Sequence, residues 1–193
     1  MTSDYLEAGA FLIAGIVSRG QVRVRGADHH HLTSFVGALR RAGAVVTVEK
    51  NGDIVADGSK SNLVSTRIQT NIFPGFPTDL QAPFGVLLTQ AEGVSRIFEV
   101  LFEGRMAYLY ELEKMGARIE ILNSHQALII GASPLVGRQV ASNDIRAGAA
   151  MVIAGLCAQG ETVVTDVRYI ERGYDRLEEK MKKLGARMVR EEV

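Results

Sequence analysis

The chain has one cysteine, four prolines and no excess charge of either sign. A single thiol, Cys157, excludes an internal disulfide and fits a reducing compartment. Lysine plus arginine and aspartate plus glutamate each number 22, which argues against a broadly basic nucleic-acid surface, so any anion site must be local. The apolar stretches around Phe11 and Met151 are short and interrupted by glycine, so neither reads as a membrane span. Met1 to Leu6 lack the basic-then-apolar plan of a signal peptide, and a cytoplasmic protein is expected. No Gly-rich phosphate loop and no Ser-His-Asp arrangement is found. With 193 residues, 47% of them apolar, the composition is that of one ordinary globular domain.

What is present is a threefold repeat marked by glycine. Gly20 and Gly43 lie 23 residues apart, as do Gly93 and Gly116, and Gly160 and Gly185 lie 25 apart. Each first glycine closes an apolar helix that opens at Asp4, Asp79 or Asp144, and each second glycine is followed by alanine. The spacing predicts three copies, about 1–60, 61–133 and 134–193, within a single domain. The first reads as helix 4–19, strand 21–25, helix 30–42 and a hairpin about Asn51-Gly52. The second reads as helix 79–92, strand 95–100, helix 105–115 and strands 117–122 and 126–131. The third reads as helix 144–159, strand 161–166, helix 173–184 and strand 186–190.

The first helix of each copy is apolar nearly all round and belongs inside, whereas the second carries one apolar stripe and belongs outside. The expected fold is therefore α/β and pseudo-threefold, with helices at the centre. No strand precedes Asp4 in the first copy and the last hairpin strand is absent from the third. Those open edges predict a longer protein, a partner, or self-association through the exposed sheets.

Asp4, Asp79 and Asp144 all suit N-capping, and for Asp4 an ordinary cap is expected. Arg146, two residues after Asp144, does not suit a positive helix end and needs an anion or carboxylate beside it. Arg105 and Arg172 also stand where second helices are expected to open, so the three arginines are expected on one face. Two readings stay open: salt bridges to the adjacent Glu103, Glu171 and Asp144, or a cradle for phosphate or carboxylate. The segment Phe73-Pro74-Gly75-Phe76-Pro77-Thr78-Asp79 makes a stiff approach to a carboxylate, as a positioned base or ligand group requires. His29, His30 and His31 look like metal ligands, but neighbouring residues are not expected to converge on one ion, and a surface turn is the expectation. Cys157 reads as a core residue, Asp53 as a hairpin residue, and Glu178 to Lys183 as a solvated helix face.

Pro74-Gly75-Phe76-Pro77-Thr78-Asp79-Leu80-Gln81, Phe102-Glu103-Gly104-Arg105-Met106, Asn143-Asp144-Ile145-Arg146-Ala147 and Glu171-Arg172-Gly173-Tyr174 carry a resemblance. They resemble the UDP-N-acetylglucosamine 1-carboxyvinyltransferases, enolpyruvyl transferases that begin peptidoglycan precursor synthesis. The resemblance runs from about Tyr5 over nearly the whole chain, but only to the C-terminal stretch of the family. It implies a domain of three βαβαββ-type repeats with helices inside, and UDP-N-acetylglucosamine and phosphoenolpyruvate as substrates without a cofactor. It implies that Asp79 contacts and deprotonates the sugar 3-hydroxyl and that the Leu101 backbone contacts the UDP-sugar. Arg105, Arg146 and Arg172 match arginines that handle phosphoenolpyruvate's charges. The family's loop cysteine, its proton donor, and its N-terminal Lys-Asn pair are absent here, and Tyr169 stands where histidine is common. The chain is accordingly expected to hold half an active site and to be inactive, or nearly so, alone. A non-catalytic UDP-sugar-binding or scaffold module, or a shikimate 3-phosphate enolpyruvyl transferase, are the competing readings.

Overall fold

Residues 4–142 and 144–191 are described in the computed structural model. Three helices fill the centre: α1 (Tyr5–Val17), α3 (Gln81–Thr89) and α5 (Ile145–Cys157). Each packs against the other two. Every residue of α3 is buried, as are Ala8 to Val17 of α1, so these helices need no polar face. Close approach demands small residues: a Cβ built on Gly9 would lie 2.6 Å from Leu80 Cδ1, so α1 and the start of α3 touch only because residue 9 is glycine. The amphipathic helices α2 (Thr33–Arg41), α4 (Tyr108–Lys114) and α7 (Leu177–Lys183) lie outside.

Three sheets repeat one pattern at different degrees of completeness. In the fullest, β4 (Arg67–Gln69) pairs parallel with β5 (Gly93–Phe98), and the hairpin β6 (Arg118–Asn123) and β7 (Gln126–Gly131) follows in the order β4-β5-β7-β6. The first sheet, from β1 (Gln21–Val24), β2 (Val45–Val48) and β3 (Ile54–Asp57), has the order β1-β3-β2 and corresponds to the full sheet without its first strand. The third has only the parallel pair β8 (Gln139–Ala141) and β9 (Val163–Thr165) among the described residues.

Three sequence expectations change. No strand forms at 186–190, which is irregular. The helix expected at 173–184 forms only as α7, which starts after Arg176 at φ 46°, and a short helix that was not expected, α6 (Arg168–Glu171), precedes it. A stripe-bearing segment cannot continue as one helix through a left-handed residue. The helix expected from Asp79 opens as a 3₁₀ turn, Thr78–Leu80, before α3 begins at Gln81. No helix among the described residues is long and apolar enough to cross a membrane.

Candidate functional site

The stiff segment before α3 closes on itself. Asn71 N–H donates to Phe76 O at 3.0 Å and Gly75 N–H to Ile72 O at 2.8 Å. Phe76 is buried edge-to-face on Phe84 of α3, with ring centres 5.3 Å apart, and Ser34 of α2 donates to Gly75 O at 2.7 Å. Ile72 and Phe73 remain exposed at the tip. Between this loop, Tyr5 and Leu101 lies a cleft of about 170 Å³, with Thr78 and Asp79 on its wall.

Arg105 and Arg146 converge on Asp79. Arg105 Nη1 donates to Asp79 Oδ1 at 2.6 Å and to Thr78 Oγ1 at 3.2 Å. Arg146 Nη2 lies 3.5 Å from Asp79 Oδ2. The side chains of Asp79, Arg105 and Arg146 are 31%, 28% and 19% exposed, so the group is half sheltered from water, where charge interactions are stronger. Aromatic rings back both cations: the Arg105 guanidinium stands 4.5 Å from the Phe102 ring centre and that of Arg146 stands 5.6 Å from Tyr174. Burial pushes the Tyr174 hydroxyl pKa up, and the positive charge of Arg146 pulls it partly back. Arg146 Nη1 is buried without a hydrogen-bond partner.

Among the described residues none of Arg105, Arg146 and Arg172 pairs with its neighbouring acid, and Glu103, beside Arg105, lies 3.6 Å from His125 Nε2 instead. Asp144 caps α5, accepting from Arg146 N at 2.7 Å and Ala147 N at 2.8 Å, and Glu171 pairs with Arg190. Asn143 lies outside the described residues. Arg146 does stand at a positive helix end, and Asp79 is the carboxylate beside it. Arg105 sits in the turn before α4 rather than at its first residues. Arg172 departs from expectation: it follows the last residue of α6, an end where a cation needs no anion. It is exposed and has no ion-pair partner among the described residues. The next residue, Gly173, abuts the Arg146 pocket, since a Cβ there would lie 3.5 Å from Arg146 Nη1 and 2.1 Å from Ile145 Cγ2.

The sequence reading missed Glu99. It follows β5, is 0% exposed, and its carboxylate accepts five hydrogen bonds. Oε1 takes Thr70 Oγ1 at 2.8 Å, Leu101 N at 2.9 Å and Phe102 N at 3.3 Å. Oε2 takes Thr78 Oγ1 at 2.7 Å and Gln81 Nε2 at 3.2 Å. An acid that ends a strand carries no local pattern that would mark such a convergence.

Other candidates lie apart. Asp4 caps α1 through Leu6 N and Glu7 N. The ligand atoms of Asp28, His29 and His30 fall within 4.8 Å of one another, so these neighbours come closer together than expected, on a turn that leaves two of the three exposed. His31 Nε2 lies 3.9 Å from Asp28 Oδ2, and its ring meets Tyr5 and Phe73 edge-on at the border of the cleft. Cys157 is half-buried, and burial pushes its thiol up to about 12. Asp53 pairs with Arg23 at 3.3 Å across the first sheet.

Helices inside, incomplete copies of one β-sheet outside, and a carboxylate between two arginines at a cleft define an inside-out α/β domain of the enolpyruvyl-transferase type. Residues 1–181 match the family described as EPSP synthase (3-phosphoshikimate 1-carboxyvinyltransferase), and the chain belongs to that family. It is 42% identical over 97% of its length to UDP-N-acetylglucosamine 1-carboxyvinyltransferase 3 of Caldanaerobacter subterraneus subsp. tengcongensis, of which it covers 44%. Among solved structures, the enolpyruvyl transferase NikO of Streptomyces tendae shares the fold over 97% of the chain and 44% of its own, with a TM-score of 0.87 and 26% identity. EPSP synthase of Acinetobacter baumannii, at a TM-score of 0.73 and 19% identity, covers 98% of the chain and 44% of its own, and shares the fold alone. The chain spans a little under half the length of the relatives it matches.

Proposed function

We propose that the chain supplies one wall of the active site of a UDP-N-acetylglucosamine 1-carboxyvinyltransferase, completed in the whole enzyme by a second domain N-terminal to this one. The observation that carries this reading is the convergence of Arg105 and Arg146 on Asp79 beside the cleft that Leu101 borders. The reaction adds the sugar 3-hydroxyl to the enol carbon of phosphoenolpyruvate and then expels phosphate, which places the enzyme at the start of peptidoglycan precursor synthesis in the cytoplasm.

Asp79 takes the hydroxyl proton. Its Oδ2 is the oxygen available for this, because Arg146 at 3.5 Å is beyond ordinary hydrogen-bond length while Oδ1 is held by Arg105 at 2.6 Å. Arg105 and Arg146 balance the anionic phosphate and carboxylate of phosphoenolpyruvate, and exposed Arg172 closes on them when the second domain arrives. Leu101 N–H is spent on Glu99, so a main-chain contact from Leu101 to the sugar nucleotide uses its carbonyl and requires a donor on the ligand.

The test is a titration of the chain followed by backbone NMR. UDP-N-acetylglucosamine should shift the Asp79 and Leu101 amides, and phosphate release should appear only with a separately expressed N-terminal domain of a relative. The family's own description favours a second reading, shikimate 3-phosphate as acceptor. Shifts with shikimate 3-phosphate and none with the UDP-sugar would replace the first reading with the second. Full turnover by the chain alone would overturn the half-site proposal.

A further inference from the structure

The Glu99 carboxylate is fully buried, and no lysine, arginine or histidine side chain is among its hydrogen-bond partners. Burying an anion on neutral donors is costly, and removing one such donor or the acceptor strands the rest. The five donors come from two loops and the start of α3. Thr70 and Thr78 bracket the loop that presents Asp79, Gln81 begins α3, and Leu101 with Phe102 begins the loop that presents Arg105. Thr70 is held from both sides, since its hydroxyl also accepts from Val100 N at 2.9 Å. Behind them, His125 at the β6–β7 turn donates through Nδ1 to Glu99 O at 2.6 Å, which fixes the proton on that nitrogen because a carbonyl can only accept.

Thr78 gives this buried charge a direction. Its one hydroxyl proton goes to Glu99 Oε2, so only lone pairs remain on the side that faces Arg105 Nη1. Arg105 thus donates to a Thr78 oxygen that the bond to Glu99 has made more negative, and also to Asp79, beside which Arg146 stands as an ion pair. A hydroxyl free to rotate could instead donate to Asp79 and compete with Arg105.

We propose that Glu99 is a positioning residue: it locks the Asp79 loop to the Leu101–Arg105 loop and, by orienting the Thr78 hydroxyl, seats the Arg105 guanidinium on Asp79. What that seating is for rests on the functional reading above; the seating itself does not. Glu99→Gln keeps the shape and one carbonyl-type oxygen for Thr70, Leu101 and Phe102, but places an NH₂ toward Thr78 and Gln81. Gln81 can adapt by turning its amide, because its Oε1 is buried without a partner. Thr78 cannot adapt without releasing its proton toward Asp79. Glu99→Gln is therefore expected to fold with Arg105 loosened, and Thr78→Val to cut the Arg105 arm while leaving the Leu101 and Phe102 bonds in place.

The experiment records the Arg105 side-chain N–H signals by ¹⁵N NMR, hydrogen exchange at the Leu101 and Phe102 amides, and a thermal melt, for the chain and both variants. A sharp, slowly exchanging Arg105 signal is expected in the parent chain and should broaden or be lost in both variants. Exchange at Leu101 and Phe102 is expected to rise about tenfold in Glu99→Gln, as when a hydrogen bond to a charged acceptor becomes neutral, and to stay unchanged in Thr78→Val. A general loss of stability would move both readouts together. Arg105 signals unchanged in either variant, or Leu101 exchange that simply follows the melting temperature, would overturn the proposal. A final titration with UDP-N-acetylglucosamine separates the two claims. No shift in the parent chain counts against the functional reading and leaves the Arg105 result to decide this one. Equal shifts in parent and Glu99→Gln would overturn positioning while sustaining the function.

Discussion

Replacing Asp79 by asparagine tests whether the arginine pair is held by charge. The substitution keeps the size and one oxygen, so Arg105 loses a charge-assisted bond of 2.6 Å and keeps at most a neutral one. It also removes the anion between two guanidiniums, with Arg105 Nη1 2.6 Å from one carboxylate oxygen and Arg146 Nη2 3.5 Å from the other. Like charges so placed repel, and with side chains between 19% and 31% exposed the combined loss is about 1–2 kcal/mol. For a domain of this size that lowers the melting temperature by roughly 2–8 °C. The same vacancy should accept another anion. Inorganic phosphate at about ten times its dissociation constant returns about 1.4 kcal/mol, so it should restore roughly 3–6 °C to the variant. The parent chain, whose arginines already have a carboxylate, should gain much less. The assay is differential scanning fluorimetry across a phosphate series at fixed ionic strength. A variant that melts with the parent and ignores phosphate would refute the electrostatic account of this site.

Three further outcomes follow from the surroundings. Phe84→Ala removes a fully buried ring that meets Phe35 and Phe76, and should cost about 3–5 kcal/mol in urea unfolding with an unchanged m-value; a loss under about 1 kcal/mol would contradict the packing described. The Asp57 carboxyl is held down to about 2, from 3.8, by the Ser59 hydroxyl first and Lys60 next. A depressed folded pKa adds stability above the unfolded value and loses it as pH falls toward 2, so the parent and Asp57→Asn should differ at pH 6 and converge near pH 2 in acid titrations followed by circular dichroism. Burial holds the half-buried Cys157 thiol up at about 12, so a thiol reagent at pH 8 should label it far more slowly than an ordinary free cysteine, and labelling at the free-thiol rate would contradict its placement on α5.

Much of the fold was legible because periodicity reports burial. Helices apolar on every side can only be central, and α1, α3 and α5 are. The boundaries that failed are where tertiary context overrules local pattern. Residues 186–190 alternate well enough for a strand but join none of the sheets formed by the described residues, and a strand without a neighbouring strand is not a strand. The break before α7 depends on a left-handed Arg176, a backbone state with no mark in the residue type.

Sequence by itself determined the threefold repeat, the N-caps Asp4 of α1 and Asp144 of α5, and the need of Arg146 for a counter-charge, whereas Asp79, which also suits a cap, makes no cap hydrogen bond to the turn that opens α3. These are local or periodic properties, set by residues within one helical turn or one repeat. Which carboxylate answered that need was decided only by the tertiary structure. An adjacent acid, Asp144, was available in the chain, yet it is spent on backbone N–H groups. Asp79, from a different repeat, takes its place because packing of α1, α3 and α5 brings the openings of α3 and α5 together. Glu99 belongs to the same category: its five bonds join segments from residue 70 to residue 102, and their convergence is a property of the fold alone.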